Sequence, residues 1–258
     1  MLRPECFIIK RMESNGRQSG ILIAVEGIDG AGKTTQVEKL CGALSAVDEI
    51  VTRSKEPANG QYGRRLRESA QNGRLDPHDE LDTFIADRRE HVEHVIQPAL
   101  SRGDIVVLDR YFYSTIAYQG PRTGHRPCAL YEKMGEFPTP DVTFLIDVPP
   151  EIGLHRVSAS RGDIPNEFER IESLKVTREA FLELEGCADE ICRIDGTPGI
   201  DAVYHQIIDC LVEVLAKKRC LKPWGCDMLL CAYKATGECT WPSERARLLQ
   251  PPAQATRG

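Results

Sequence analysis

Short apolar runs punctuate the chain at ILIAVE (Ile21–Glu26), EIVTRSK (Glu49–Lys55), DIVVLD (Asp104–Asp109), VTFLIDV (Val142–Val148) and EICRID (Glu190–Asp195). Each is rich in β-branched residues and too brief for a stable helix, so each predicts a strand. Between them lie longer amphipathic stretches that predict helices, one from about Lys33 and a long one across Asp79 to Leu100. Near-continuous apolar strands alternating with helices predict an α/β fold, a parallel sheet of about five strands flanked by helices on both faces. Ligands of such sheets bind beyond the carboxyl ends of the strands, so the residues just after each run are the informative ones.

The periodicity fails at both ends. Residues 1–19 are polar and aperiodic and predict a loose N-terminal extension, although Met12 could equally be the start. After about Lys218 the character shifts again, leaving one domain over residues 20–218 and a Cys-rich tail over 219–258.

Composition narrows the function by exclusion. The 258 residues are 41% hydrophobic, enough for one good-sized core, and the formal net charge of −6 offers no general attraction to a nucleic-acid polymer or an anionic membrane. Any phosphate site must therefore be local. No apolar run nears the roughly 20 residues that cross a bilayer, so a cytoplasmic location is expected. Six scattered cysteines, Cys6, Cys41, Cys128, Cys187, Cys192 and Cys210, then read as reduced thiols.

The local site is explicit. Gly27-Ile28-Asp29-Gly30-Ala31-Gly32-Lys33-Thr34 is G-x-x-x-x-G-K-T, placed after a predicted strand and opening a predicted helix. Gly27, Gly30, Ala31 and Gly32 allow backbone amides to turn inward on anionic oxygens at a helix amino end, with Thr35 following in its first turn. Lys33 is expected along the β and γ phosphates of a nucleoside triphosphate, and the Thr34 hydroxyl on Mg²⁺. A second Mg²⁺ carboxylate is expected at Asp109, where DIVVLD ends, with Arg110 beside it to neutralise phosphate oxygens. ATPases, GTPases and small-molecule kinases share this loop, but the chain has no guanine-reading N-K-x-D.

The order of EGIDGAGKTTQ, Glu56-Pro57, FIADRRE (Phe84–Glu90), DRYFYSTIAYQG (Asp109–Gly120), FLIDVPPEIGLHR (Phe144–Arg156) and RGDIPNEFERIE (Arg161–Glu172) resembles the thymidylate kinases over about residues 20–216. The resemblance implies transfer of the ATP γ-phosphoryl group to dTMP in a homodimeric enzyme. It implies that Phe84 and Arg88, one helical turn apart, hold the thymine, that Thr115 and Gln119 line its pocket, and that Asp29 faces the deoxyribose. It also implies a mobile lid over about residues 159–171 whose Arg161 swings onto the transferring group, because Gly30 stands where one branch of the family has a loop arginine. Two departures matter. Lys55 replaces the arginine usual before Glu-Pro, and Ala58-Asn59 replaces Gly-Gly, so Arg53, Arg64 or Arg67 could share the acceptor phosphate.

The alternatives are a kinase for a related nucleotide or deoxynucleoside, and a nucleotide-binding regulatory protein without catalysis. The tail cysteines, Cys220, Cys226, Cys231 and Cys239, lack the paired spacing of most zinc sites, and reduced thiols on a small helical appendage are expected over a structural metal. His91 and His94 read as solvated helix-surface histidines.

Overall fold

A computed structural model describes residues 20–46, 49–161 and 167–219, with side chains throughout except at 160–169 and 216–219. The N-terminal extension, most of the lid, the Arg161 side chain and the four tail cysteines lie outside what is described.

The five apolar runs form the strands β1 (Ile21–Glu26), β2 (Val51–Lys55), β3 (Ile105–Asp109), β4 (Val142–Asp147) and β5 (Ile191–Asp195) of one parallel sheet in the order β2-β3-β1-β4-β5. All six residues of β1 are buried, as the centre of a sheet covered on both faces requires, whereas β2 and β5 at the edges alternate partly exposed positions. Register aligns Val25 of β1 with Asp109 of β3. The loop leaving β1 and the carboxylate ending β3 thus start as neighbours.

Helices α1 (Lys33–Ala46), α2 (Gln61–Asn72), α3 (Pro77–His91), α4 (Gln97–Arg102), α5 (Phe112–Thr123), α6 (Pro127–Lys133), α7 (Pro150–Arg161), α8 (Glu167–Glu185) and α9 (Ile200–Arg219) cover the sheet. α3 begins as its sequence dictates, with Asp76 accepting from the His78 amide and Pro77 at the first helical position. The long helix expected across Asp79 to Leu100 is instead α3 and α4 joined by a single π turn, Val92–Ile96. Pro98 explains the widening, since its ring crowds the carbonyl of His94 four residues back and it has no amide to donate.

Two further expectations are corrected. Cys128 is paired with Cys187 and Cys192 with Cys210 as disulfides, where reduced thiols were expected; only Cys41 is free among the described residues. Separations of 59 and 18 residues carry no local signal, and folding alone brings the partners together. His91 is not solvated but 3% exposed, while the His94 side chain is 64% exposed as expected.

Candidate active site

The turn from β1 into α1 wraps the head of a cavity of about 700 Å³, lined by Asp29 through Gln36, by Lys55, Glu56, Asp109 and Arg110, and on the far side by Arg156, Pro198 and Ile200. Gly30 and Gly32 hold φ of 80° and 95°, which other residues adopt at a cost, and this left-handed backbone turns successive amides inward. Gly27 lies beneath the loop and not on the cavity wall. A Cβ there would stand 2.4 Å from the Ile146 carbonyl oxygen.

Lys33 is buried under the loop, its ammonium donating to the carbonyls of Gly27 (3.0 Å) and Ile28 (2.7 Å). Burial, then the charge of Arg110, lowers its pKa to about 7, against the pull of Asp29, Asp109 and Glu26. The Thr34 hydroxyl donates to Asp109 Oδ2 at 2.6 Å. This pair of hard oxygens next to the phosphate cradle suits Mg²⁺, which takes few protein ligands and completes its shell with water and phosphate. No group of three or more candidate metal-ligating side chains exists among the described residues.

Arg110 is the one non-glycine residue with positive φ (73°) among those described. Its guanidinium donates to Asp29 Oδ1 (2.5 Å) and Ser114 Oγ (2.9 Å) and lies over the Tyr118 ring at 5.3 Å. Backbone strain of this kind persists only where surroundings over-determine it. Glu26 does so here: one oxygen accepts from the Tyr111 and Ser114 amides, and the other accepts from the Ser114 hydroxyl at 2.5 Å. Burial raises the Glu26 carboxyl to about 7, opposed by the Ser114 hydrogen bond, the charge of Arg110 and the Tyr111 amide.

Beyond Glu56 lies a second cluster. Arg88 of α3 has no exposed surface and donates to Glu56 Oε2 through Nε (2.9 Å) and Nη2 (2.5 Å), and to Thr115 Oγ1 (2.7 Å). Gln119 is also buried, its Oε1 accepting from Arg122. Phe84, one turn before Arg88, is half-buried; the partly buried fringe of the core includes its neighbour Ile85 but not Phe84. None of Phe84, Arg88, Thr115 and Gln119 lines the cavity; Glu56, which does, accepts from Arg88, and Arg88 donates to Thr115.

Of the cations expected from the sequence at an acceptor phosphate, Lys55 faces the cavity. Arg67 instead donates to the Pro57 and Ala58 carbonyls, Arg64 to that of Asn59, and Arg53 to Glu38. The loop after β2 is thus braced by two arginines and by Asp87, which accepts from the Ala58 amide.

Sequence reading alone missed Glu26, Ser114, Glu56 and Arg156. Arg156 donates to the Gly196 and Thr197 carbonyls, holding the 196–200 loop at the cavity's edge. A carboxylate inside a strand otherwise apolar, as at Glu26, was the available signal.

A phosphate loop after the central strand, a hydroxyl and carboxylate paired beside it, and a strained arginine in the wall of the same cavity define a P-loop phosphotransferase. The model of the thymidylate kinase family matches residues 25–207. The chain is 46% identical over 196 residues to the thymidylate kinase of Xylella fastidiosa strain M12, covering 76% of this chain and 88% of that one. It is 45% identical over 202 residues to the thymidylate kinase of Xanthomonas euvesicatoria pv. vesicatoria, covering 78% and 88%. The chain belongs to the thymidylate kinase family.

Proposed function

We propose that the protein transfers the γ-phosphoryl group of ATP to the 5′-phosphate of dTMP, giving dTDP and ADP. The observation that supports this reading is the link from the phosphate-loop cavity, which Arg110 and Glu56 line, through the Glu56 carboxylate to the buried Arg88.

No side chain needs to act as a nucleophile, because the acceptor phosphate is already ionised at neutral pH. Catalysis is then alignment plus charge neutralisation. The inward amides of Gly30 to Thr35 hold the triphosphate, and Lys33 leaves its loop carbonyls for the phosphate oxygens, regaining its full charge there. Arg110, held by Asp29 and Ser114, neutralises oxygens of the group in transfer. Mg²⁺, held by Thr34 and Asp109, would supply positive charge to the donor phosphates. Lys55 meets the acceptor phosphate in place of the usual arginine, Asp29 faces the sugar, and Phe84, Arg88, Thr115 and Gln119 take the base. Arg161 of the lid completes the cation set.

In a steady-state assay with ATP and Mg²⁺, dTMP is expected to be phosphorylated well ahead of dUMP, and thymidine not at all. Phosphorylation of thymidine but not dTMP would overturn the choice of acceptor. Lys33→Ala should cut turnover by about 10³-fold; a variant that lost turnover yet kept the protein's function in the cell would favour a purely nucleotide-binding role. The reading extends to a cytoplasmic homodimer with the 219–258 tail as an appendage. Resemblance to the family supports the dimer, and light scattering in solution tests it. Among the described residues no helix is long and apolar enough to cross a membrane.

A further inference from the structure

Arg88 has five N–H donors and uses three of them within the protein: Nε and one Nη2 hydrogen on Glu56 Oε2, the other Nη2 hydrogen on Thr115. The described partner of Nη1 is Met134 Sδ at 3.9 Å, a weak acceptor. The rings of Tyr111 and Phe137 each lie 5.4 Å from the guanidinium carbon. With rings near it and one edge clamped, the guanidinium has a single orientation, and the donors it keeps in reserve are those of Nη1.

The clamp is itself held. The second oxygen of Glu56 meets His91 Nδ1 at 3.1 Å, and His91 Nε2 meets Ser54 Oγ at 2.7 Å. A carboxylate paired with a guanidinium accepts, so the Glu56 oxygen takes its hydrogen bond from His91 Nδ1. Ser54 comes from β2, His91 and Arg88 from α3 one turn apart, and Thr115 from α5, so the chain of bonds fixes Arg88 against three elements. The side chains of Glu56, Arg88 and His91 are all at most 3% exposed, so water does not compete for these bonds.

We propose that His91 is a positioning residue for base selection: the buried Ser54–His91–Glu56 chain orients Arg88 so that Nη1 offers donors to a pyrimidine carbonyl. This rests on the reading that Arg88 meets the acceptor base. A guanidinium has no acceptor, so a fixed one favours a 4-oxo pyrimidine such as thymine over a 4-amino one such as cytosine, whose amino group also donates. An Arg88 released from its clamp could turn aside, and the discrimination would fade.

The test compares His91→Leu, His91→Asn, Ser54→Ala and Arg88→Met for KM of dTMP, KM of ATP, and the ratio of kcat/KM for dTMP over dCMP. His91→Leu should raise KM for dTMP about tenfold and lower the dTMP:dCMP preference by a similar factor, with KM for ATP within twofold. His91→Asn, whose amide can replace the Nδ1 donor to Glu56, should recover most of both. Should His91→Leu not fold, Ser54→Ala carries the test, with the same split at smaller size. Unchanged preference in a folded His91→Leu or Ser54→Ala protein, or equal rises in both KM values, would overturn the proposal. If Arg88→Met loses the preference while the His91 and Ser54 variants keep it, only the positioning role fails. If Arg88→Met keeps it, the base-reading role of Arg88 falls as well.

Discussion

Gly30 and Gly153 press against each other: a Cβ on Gly30 would stand 2.0 Å from the Gly153 carbonyl oxygen, and a Cβ on Gly153 would stand 2.6 Å from that of Asp29. Gly30 also holds φ of 80°. The contact gives a physical reason why this loop carries no arginine at position 30, since any side chain there meets the first turns of α7. Left-handed backbone costs an ordinary residue about 1–2 kcal/mol, and forced overpacking about 1–3 kcal/mol. Gly30→Ala should therefore lose about 2–5 kcal/mol and lower the thermal midpoint by roughly 10 °C, with a raised KM for ATP. Calorimetry checks it, and a loss below about 1 kcal/mol would mean that the loop and α7 part freely. At this scale the sequence reveals which residues carry charge or need glycine. It does not reveal Gly153 as the reason, or Glu26 as the anchor of Arg110, because those partners are more than eighty residues distant and only the sheet brings them together. His91 was misread for the same cause: nothing within its own helix announces Glu56 and Ser54.

Among elements, the joint between β4, β5 and α8 turns on one carboxylate. Asp147 accepts from Arg178 of α8 at 2.6 and 2.9 Å and from Arg193 of β5 at 2.6 Å. Burial alone would raise its pKa, but hydrogen bonds from the two arginines outweigh it and hold the carboxyl below the usual range. Such a group stabilises the fold above its unfolded pKa of about 3.9 and ceases to do so as pH falls through its lower folded value. With the arginine side chains 31% and 44% exposed, solvent screening limits the effect. Asp147→Asn should cost about 1–2 kcal/mol at pH 7. That difference should hold steady between pH 5 and 8 and shrink on acidification below about pH 4. Denaturant melts of the two proteins across pH measure it, and a gap that widened in acid would refute the account. The strands themselves were legible as apolar runs, because a buried parallel strand has to be apolar on both faces. The break in the long helix was not, because Pro98 signals a disturbance without saying that the chain answers it with a π turn.

For the whole molecule, strand order decides what chemistry is possible. With β1 central and β3 beside it, the phosphate loop and Asp109 emerge together, and with β2 next outward Lys55 and Glu56 follow on the same rim. The run of motifs along the chain gives the parts, and only this order sets the phosphate loop beside Lys55 and Glu56. It also makes both nucleotides ligands of one cooperative body, which heat can test. MgATP at a hundred times its Kd should add about 2.7 kcal/mol to stability, and dTMP at the same excess about as much again. At roughly 2–4 °C per kcal/mol, each should raise the melting midpoint by about 5–10 °C. A single molecule joining adenosine and thymidine through a chain of phosphates should shift the midpoint at least as far as the pair, because its second half binds at high effective concentration. It should also compete with both substrates at once. If it competed with ATP while leaving dTMP binding untouched, the two pockets would not share the cavity that Arg110 and Glu56 bridge, and no phosphoryl group could pass between them.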